Sequence, residues 1–521
     1  METLSLAQMT LEQKVGQLFM MGFREPDLSD HARTILGTHH VGNVVLFRRN
    51  VRDRARLQRL NADIQALTLQ ANGAPAFIAA DQEGGMVSRL CAPYAHLPGA
   101  MACGAGLTPA QMETMGVLMG EELRDAGLNM NYAPVFDVNN NPRNPVIGVR
   151  SFGDDPARVA AMGTALYRGM HRAGVVAVGK HFPGHGDTAS DSHLTLPAVT
   201  HDRVHVEAVE LPPFRHAVDA GIPALMTAHI LYPALGTGDQ PATLSPAVLT
   251  DLLREQWGFS GLVLTDCLQM QAIADACGTP RGCVLSLLAG ADIVLVCHDL
   301  DVQIASVEAV LAAVRDGELS EALIDERAAR VLAAKAALPP CRALTEADLA
   351  AHRAQADAWS AACVTLARDR QHLLPLRGRI FSVSPRYADL TIADGHTDAV
   401  NFAQTCAERL GGAYVNFDIT EAPDDALRAR ILAACAQADT VVLGSYSAVL
   451  FPAQAALMAD IVAVGKPVVL CALRLPYDAA LHSQAVGTAL CTYDYTQPMV
   501  DALVRVLAGE QAATASMPVR V

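Results

Sequence analysis

The stretch VVAVGKHFPGHGDTASDSH, residues 175–193, joins a short apolar run directly to a loop that is rich in glycine and titratable side chains. The apolar run has the length and the valine content of a buried β-strand. The glycines of the loop allow the backbone to turn sharply and to approach a ligand closely. The stretch therefore predicts a β-strand whose carboxyl end leads into a loop equipped for chemistry.

Similar apolar runs occur before and after this strand and alternate with amphipathic helical stretches. They are VGNVVLF (41–47), AFIAAD (76–81), NMNYAPV (129–135), PALMTAH (223–229), GLVLTD (261–266) and DIVLVC (292–297). Such alternation is typical of βαβ units that build a parallel sheet. Seven or eight units in about 330 residues favour a (β/α)8 TIM-like barrel over a shorter doubly wound sheet.

A second α/β unit is predicted after the double proline at 339 and 340, which is a plausible domain boundary. Five further strands are expected at RIFSVS (379–384), AYVNFD (413–418), TVVLGSY (440–446), PVVLCAL (467–473) and GTALCTYD (487–494). They alternate with helices, as in a small open α/β/α sandwich. We therefore expect a barrel domain over residues 1–338, a linker and helix over 339–360, and a smaller sandwich domain over 361–521.

Composition limits the kinds of partner that this chain binds. The net charge of −15 argues against nucleic acid or an anionic membrane as the main partner, since both favour a basic surface. The N-terminus has neither a basic region nor a long apolar run, which predicts no signal peptide, and no stretch approaches the ~18 apolar residues of a membrane span. The 12 cysteines are scattered singly, which is typical of a protein in the reducing cytoplasm.

The loop after the strand has three interpretations: a metal site, a solvated loop and an acid–base centre. A metal site would draw on His181, His185, Asp187, Asp191 and His193. However, a proline and a glycine between the first two histidines break the helix that a His-x-x-x-His zinc pair needs. A solvated loop would explain single residues but not the whole cluster. The acid–base interpretation is favoured.

Asp191 and His193 are the central pair of the acid–base interpretation. A carboxylate two residues from an imidazole can accept its hydrogen bond in a turning loop, which fixes the tautomer and raises the basicity of the ring. An imidazole also exchanges protons readily near neutral pH. Asp266, which closes the apolar strand GLVLTD, is the best reaction partner. It could instead be the N-cap of a following helix, and spacing alone does not separate these roles.

Two further stretches supply groups for ligand binding. DQEGGMVSRL (81–90) places Asp81 at a strand end before a Gly-Gly turn, and NPVIGVRSFG (144–153) places Arg150 in a loop. A carboxylate and a guanidinium together suit the recognition of sugar hydroxyls or carbonyl oxygens, although either alone would more often be structural.

At this point the chain resembles a known family. KHFPGHGDTASDSH is similar to the signature loop of the β-N-acetylglucosaminidase (β-N-acetylhexosaminidase) branch of glycoside hydrolase family 3. The similarity extends over nearly the whole chain and includes LEQKVGQLFMMGF, VGNVVLFRRN, DQEGGMVSRL, APVFDVNNNPRNPVIGVRSFGDDP, LMTAHILYPAL, TLSPAVLTDLLREQWGFSGLVLTDCLQM and TYDYTQPMVDALVRVLAGE.

The resemblance implies an enzyme whose TIM-like barrel carries the active site and which retains the anomeric configuration. It implies Asp266 as the nucleophile, and His193 as the acid and base with Asp191 as its partner. Asp81, Arg150, Lys180 and His181 would bind the terminal sugar. No metal or organic cofactor is implied, since side chains supply all the chemistry.

The resemblance further implies a substrate and a setting. We expect a cytoplasmic exo-acting hydrolase that removes terminal N-acetylglucosamine from peptidoglycan fragments or chitooligosaccharides, without nucleic acid or membrane partners, as a monomer or homodimer. The C-terminal domain looks trimmed, and its closing segment ASMPVRV departs from the family's pattern. For that domain we expect a structural or dimerisation role.

Three alternatives remain at this stage. A β-N-acetylglucosaminide phosphorylase would pass the sugar to phosphate with the same residues, and nothing in them excludes it. A family 3 β-glucosidase or β-xylosidase is disfavoured because those enzymes lack the DSH element of this loop. A non-catalytic sugar-binding protein is compatible with the fold, but the intact set of Asp191, His193 and Asp266 argues against it, since a binder needs no nucleophile.

Overall fold

The computed structural model describes residues 4–188, 196–391, 393–395 and 400–521. In its N-terminal part, eight parallel strands close into a barrel in chain order. They are β1 (Phe19–Met21), β2 (Asn43–Val45), β3 (Phe77–Ala80), β4 (Met130–Asn131), β5 (Val176–Phe182), β6 (Ala224–Thr227), β7 (Leu262–Cys267) and β8 (Ile293–Val296). The pairing of β1 with β8 closes the ring and confirms the predicted TIM-like barrel.

Two barrel strands differ from the sequence prediction. β1 was not predicted as a strand, because it has three residues and follows a helix after a single intervening residue. β4 was predicted over seven residues, 129–135, but has two. Pro134 lacks an amide hydrogen, and the chain beyond it keeps contact with β5 through an isolated bridge between Val135 and Lys180.

Helices cover the outside of the barrel and connect its strands. They are α1 (Leu11–Gln17), α2 (Asp30–Arg33), α3 (Arg54–Asn72), α4 (Ala100–Gly106), α5 (Pro109–Asp125), α6 (Pro156–Arg172), α7 (Arg203–Ala208), α8 (Leu211–Asp219), α9 (Gln271–Ala274), α10 (Thr279–Ala289), α11 (Leu300–Arg315) and α12 (Glu321–Ala336). A π-helical segment, Ala247–Gln256, connects β6 to β7. Several helices begin where the sequence supplies a cap: Asp53 accepts a hydrogen bond from the amide of Arg56, and Thr108 precedes a proline at the first turn of α5.

The interior of the barrel is filled by side chains that alternate along the strands. Met20, Phe77, Met130, Val178 and Leu264 belong to this buried cluster. The barrel is therefore a packed core with no central pore, and a ligand is confined to the loops at its rim.

The C-terminal part is a six-stranded sheet in the order β11-β10-β12-β13-β14-β9. The strands are β9 (Thr365–Asp369), β10 (Ile380–Pro385), β11 (Ala413–Phe417), β12 (Thr440–Ser445), β13 (Val468–Ala472) and β14 (Thr488–Cys491). Its helices are α13 (Glu346–Ala362), α14 (Phe402–Leu410), α15 (Asp425–Gln437), α16 (Pro452–Ala463) and α17 (Gln497–Ala508). The predicted α/β sandwich is confirmed.

β9 was not predicted from the sequence. It is an edge strand that runs antiparallel to β14, and most of its residues are only partly buried. Its segment, TLARD, therefore lacks the apolar run that marks the inner strands. We propose the domain limits expected above, with the linker and helix of residues 339–360 between α12 and β9. Within the described part of the chain, no helix combines the length and apolarity needed to cross a bilayer.

Candidate active site

Polar residues at the ends of several strands line one cavity at the carboxyl rim of the barrel. It has a volume of about 370 Å³, and its lining includes Asp81, Arg150, Lys180, His181 and Asp266. Parallel strands present their carboxyl ends at the same rim, so residues distant in the chain meet there. Five of the seven residues singled out in the sequence thus share this cavity. The other two, Asp191 and His193, lie outside the described residues.

Asp81, Glu83, Arg150 and Lys180 form a buried charge network in the cavity wall. Lys180 Nζ lies 2.7 Å from Asp81 Oδ1 and 2.6 Å from Glu83 Oε1. Arg150 donates two hydrogen bonds to Glu83, from Nε at 2.9 Å and from Nη2 at 2.8 Å. A bidentate guanidinium–carboxylate pair fixes geometry as well as charge. The network therefore holds Lys180 and Asp81 in defined positions at the cavity.

Sequence reasoning missed Glu83, although this carboxylate is central to the network. Burial alone would raise the pKa of Glu83, but Arg150 and Lys180 more than reverse this effect and hold its pKa well below the usual range. Glu83 is thus a counter-ion that stays charged. The sequence feature that could have identified Glu83 is its position in DQEGG, two residues after Asp81. The turn in this segment brings both carboxylates towards β5.

Asp137, also missed, orients the histidines that follow β5. Its Oδ2 lies 2.7 Å from His181 Nδ1, and its Oδ1 accepts hydrogen bonds from the amides of His181 and His185 at 3.1 and 2.8 Å. Burial would raise the pKa of Asp137, but the neighbouring His181 lowers it overall. A carboxylate at Nδ1 fixes the ring tautomer and leaves Nε2 as the second functional atom of His181.

His185 lines the same cavity but differs in chemistry. Burial, together with the charge of His181, lowers its pKa to about 4. Its Nδ1 lies 2.9 Å from Thr188 Oγ1. An imidazole with this pKa is neutral at physiological pH, so His185 does not serve as the protonated acid of a reaction there.

The glycines of this loop allow the sharp turn that the sequence predicted, and one of them lies against neighbouring backbone. Gly184 has a φ of +138°, and a Cβ added at Gly186 would lie 1.7 Å from the carbonyl oxygen of Val138. Side chains at these positions would be strained or would clash with the backbone. The close approach packs the loop after β5 against the backbone of Val138, next to Asp137.

Asp266 lies near the end of β7 and is partly exposed. Its Oδ1 accepts a hydrogen bond of 2.7 Å from the amide of Cys267, which orients the carboxylate relative to the strand. Asp266 is not the N-cap of the next helix, because α9 begins at Gln271 and its capping position is Met270. This excludes the structural alternative considered for Asp266 in the sequence.

One side of the cavity is cationic and aromatic. Arg49 stacks over the ring of Phe47 at 4.3 Å and lies 3.4 Å from the imidazole of His298, and all three residues line the cavity. The guanidinium also donates to the backbone oxygens of Phe23 and Cys297. Among the described residues, none of the ion pairs involves Arg49. This side of the cavity therefore presents a guanidinium that forms no ion pair with a carboxylate of the described residues.

The C-terminal domain, for which the sequence predicts a structural or dimerisation role, also reaches the cavity. Ala393 is part of the lining, and its carbonyl oxygen accepts a hydrogen bond of 2.9 Å from Arg89 of the barrel. The next residue, Asp394, is buried and pairs with Arg474 at 2.8 and 3.1 Å. Sequence reasoning missed this contribution, because docking of one domain on another leaves no local pattern in the chain.

Comparisons with known proteins match this architecture. The family described as "Glycosyl hydrolase family 3 N terminal domain" matches residues 10–334. Beta-hexosaminidase A of Pseudoalteromonas piscicida is 36% identical over 330 residues, which cover 56% of this chain and 54% of that protein. The chain thus spans about half the length of that relative. A Beta-hexosaminidase of Alkalilimnicola ehrlichii is 39% identical over 285 residues, covering 54% of this chain and 80% of the relative.

Solved structures extend the likeness to both domains. A glycoside hydrolase family 3 beta-N-acetylglucosaminidase from Paenibacillus sp. superposes with a TM-score of 0.91 at 38% identity, over 98% of this chain and 99% of that chain. A beta-glucoside phosphorylase with a TM-score of 0.82 is 21% identical, a level at which the likeness concerns the fold alone. Because the family match covers more than half of the chain, the chain belongs to glycosyl hydrolase family 3.

Proposed function

We propose that this chain is a retaining exo-β-N-acetylglucosaminidase that removes terminal N-acetylglucosamine from peptidoglycan fragments or chitooligosaccharides. The observation that carries the proposal is the position of Asp266: a strand-end carboxylate, oriented by the amide of Cys267, in the same cavity as Asp81, Lys180 and His181. The names of the similar proteins support the choice of sugar.

In the proposed mechanism, Asp266 attacks the anomeric carbon while the bond from that carbon to the leaving oxygen breaks. His193 gives its proton to the leaving oxygen, and a glycosyl-aspartate forms. His193 then takes a proton from water, whose oxygen attacks the anomeric carbon and releases Asp266 as a carboxylate. Asp191 would support the imidazole throughout. For Asp191 and His193 the proposal rests on the family resemblance and on their position in the sequence after β5.

The charge network suggests how the terminal sugar is held. Asp81 is the most accessible member, with 20% of its side chain exposed against 2% for Lys180 and 6% for Arg150. We therefore propose that Asp81 accepts hydrogen bonds from sugar hydroxyls. Lys180 and His181 donate hydrogen bonds to the sugar from the cavity wall. Arg150 contributes mainly by holding Glu83, and through it Lys180, in place.

Arg49 favours a peptidoglycan fragment over a neutral chitooligosaccharide. A guanidinium at the cavity without a described carboxylate partner is suited to a carboxylate on the leaving group. Phe47, which also lines the cavity, adds aromatic surface beside the guanidinium. Both features are compatible with an acidic sugar or its attached peptide on the far side of the bond that is cleaved.

The assay that tests the function uses p-nitrophenyl N-acetyl-β-glucosaminide, with and without added inorganic phosphate, followed by identification of the sugar product. We expect free N-acetylglucosamine of retained β configuration in both cases. N-acetylglucosamine 1-phosphate that forms faster as phosphate rises would instead make the chain a phosphorylase. Absence of release from this substrate and from the matching glucoside would favour a non-catalytic sugar-binding protein.

His193→Ala should discriminate between leaving groups. Without a proton donor, substrates with poor leaving groups, such as a disaccharide, should lose about 10²–10⁴-fold in rate, whereas activated aryl glycosides should lose much less in the bond-breaking step. Rates of the variant and of the wild-type enzyme on both substrate types check this expectation. Equal losses on both would remove His193 from the acid role.

A further inference from the structure

Asp187, His201 and His205 form a compact cluster beside the loop that follows β5. The candidate ligand atoms of the three side chains all lie within 4.8 Å of one another. Asp187 Oδ2 accepts a hydrogen bond from His201 Nε2, and the rings of His201 and His205 stack with centroids 3.9 Å apart. We propose that these three residues bind a divalent transition-metal ion of the zinc type.

The donor set supports a zinc-type ion over magnesium or calcium. One carboxylate oxygen and two imidazole nitrogens match the ligands of tetrahedral zinc sites, with a fourth position left for water or another oxygen. Magnesium and calcium prefer oxygen ligands throughout. The spacing also fits, since ligand atoms of a tetrahedral ion lie a few ångströms apart around a common centre.

A second observation concerns buried polar atoms beside the cluster. Among the described residues, His205 Nε2 and Glu210 Oε2 are buried without a hydrogen-bond partner. Glu210 Oε1 lies 3.5 Å from His205 Nε2 and accepts a hydrogen bond from Asn140. Buried polar atoms are seldom left unsatisfied in native proteins. A cation held by His205 would satisfy this nitrogen and place a positive charge near the Glu210 carboxylate.

The site differs from the metal site considered in the sequence. There the candidate ligands included His181 and His185, but the structure pairs His181 with Asp137 and places His185 at Thr188. Asp187 comes instead together with His201, which precedes α7, and His205, which lies in the first turn of α7. None of the three proposed ligands lines the cavity of Asp266. The ion would therefore not contact the residues that line that cavity, and its effect would be to join the chain before residue 188 to the chain after residue 200.

The test is a metal titration of protein that has been stripped with a chelator. Isothermal calorimetry with Zn²⁺ should show one ion per chain in the wild type. Since even outer partners of metal ligands change affinity by about 10–100-fold, His201→Ala and Asp187→Asn should each weaken binding by about 100-fold or more. His171→Ala, at an exposed histidine at the end of α6, is the matched control and should bind as the wild type does. Mg²⁺ should not bind.

Two further measurements distinguish loss of the proposed site from misfolding of a variant and from metal binding at another site. Saturating Zn²⁺ should raise the Tm of the wild type and of His171→Ala, but not that of His205→Gln, whose fold is checked by circular dichroism. Co²⁺ should give visible bands of a tetrahedral site without a thiolate charge-transfer band. Absence of Zn²⁺ binding, equal affinity in all variants, or a thiolate band from the cysteines would each overturn the proposal, and none of these outcomes depends on the glycosidase assay.

Discussion

Asp266→Asn should lower kcat/KM on p-nitrophenyl N-acetyl-β-glucosaminide by about four orders of magnitude or more, because an amide lacks the charge and nucleophilicity of the carboxylate. The change is nearly isosteric, so the barrel and the sugar-binding residues should remain in place. Binding of N-acetylglucosamine, measured by calorimetry, should therefore change much less than turnover. Steady-state kinetics with purified variant and wild-type enzyme provide the comparison.

Asp275→Asn is the matched control for this variant. Asp275 is exposed at the end of α9, nine positions after Asp266 in the same segment of chain, and should keep wild-type rates. Azide offers a positive test: added to Asp266→Gly, it should restore release of p-nitrophenol and yield a glycosyl azide of inverted configuration. Near-normal turnover in Asp266→Asn would show that another group attacks the anomeric carbon.

Among the substitutions proposed here, Glu83→Gln should lower the free energy of unfolding the most. The substitution removes the negative charge that both Arg150 and Lys180 contact, in a site where Glu83 is 5% exposed. Breaking a buried ion pair by removing one partner costs about 3–5 kcal/mol, since it leaves a buried charge uncompensated. Urea or thermal unfolding should show a loss of this size in the free energy of unfolding, and turnover should fall because Lys180 loses its fixed position.

The pH dependence of stability should report the same network. The pKa of Glu83 is well below its usual value of 4.5 in the folded chain. A carboxyl whose pKa is depressed by folding contributes stability that is complete above the unfolded pKa and is lost as pH falls below it. The stability difference between wild type and Glu83→Gln should therefore be largest near neutral pH and shrink progressively below pH about 4.5.

Glu113→Gln is the control for the removal of a charge. Glu113 pairs with Arg172 at 2.7 Å, but the arginine side chain is 66% exposed, and surface pairs of this kind contribute at most about 1 kcal/mol. If Glu83→Gln lost no more stability than Glu113→Gln, the buried network would not have the role assigned to it here.

The pattern of apolar runs was sufficient to predict the barrel, and the elements that escaped prediction share a physical cause. β5 and β7 are long and uniformly apolar before their polar ends, because both faces of a barrel strand are buried. β1 is too short to show a pattern of apolar residues. β9 is an edge strand, and its exposed residues interrupt that pattern. The pattern of apolar residues along the sequence reflects which positions are buried. Short or half-exposed strands therefore show only a weak pattern and are difficult to predict.

Some residues of the candidate site were predicted from the sequence, and others were identified only in the structure. Asp81 and Asp266 close predicted apolar strands, the resemblance adds His181, and the structure places all three at one cavity. Asp137 and Glu83 act through hydrogen bonds and ion pairs to partners 44 and 67 positions away in the chain. No local pattern marks such partners, since their role depends on which strands become neighbours.

The sequence by itself determined the two α/β units, the strand-end residues that face the rim of the barrel, and the glycine-rich loop after β5, because these follow from local burial and backbone freedom. Tertiary structure alone decided the charge network around Glu83, the orientation of His181 by Asp137, the approach of Ala393 from the second domain, and the meeting of Asp187 with His201 and His205. The physical reason is that electrostatic and hydrogen-bonding partners act through space over a few ångströms, and only the closed barrel with its docked second domain sets those distances.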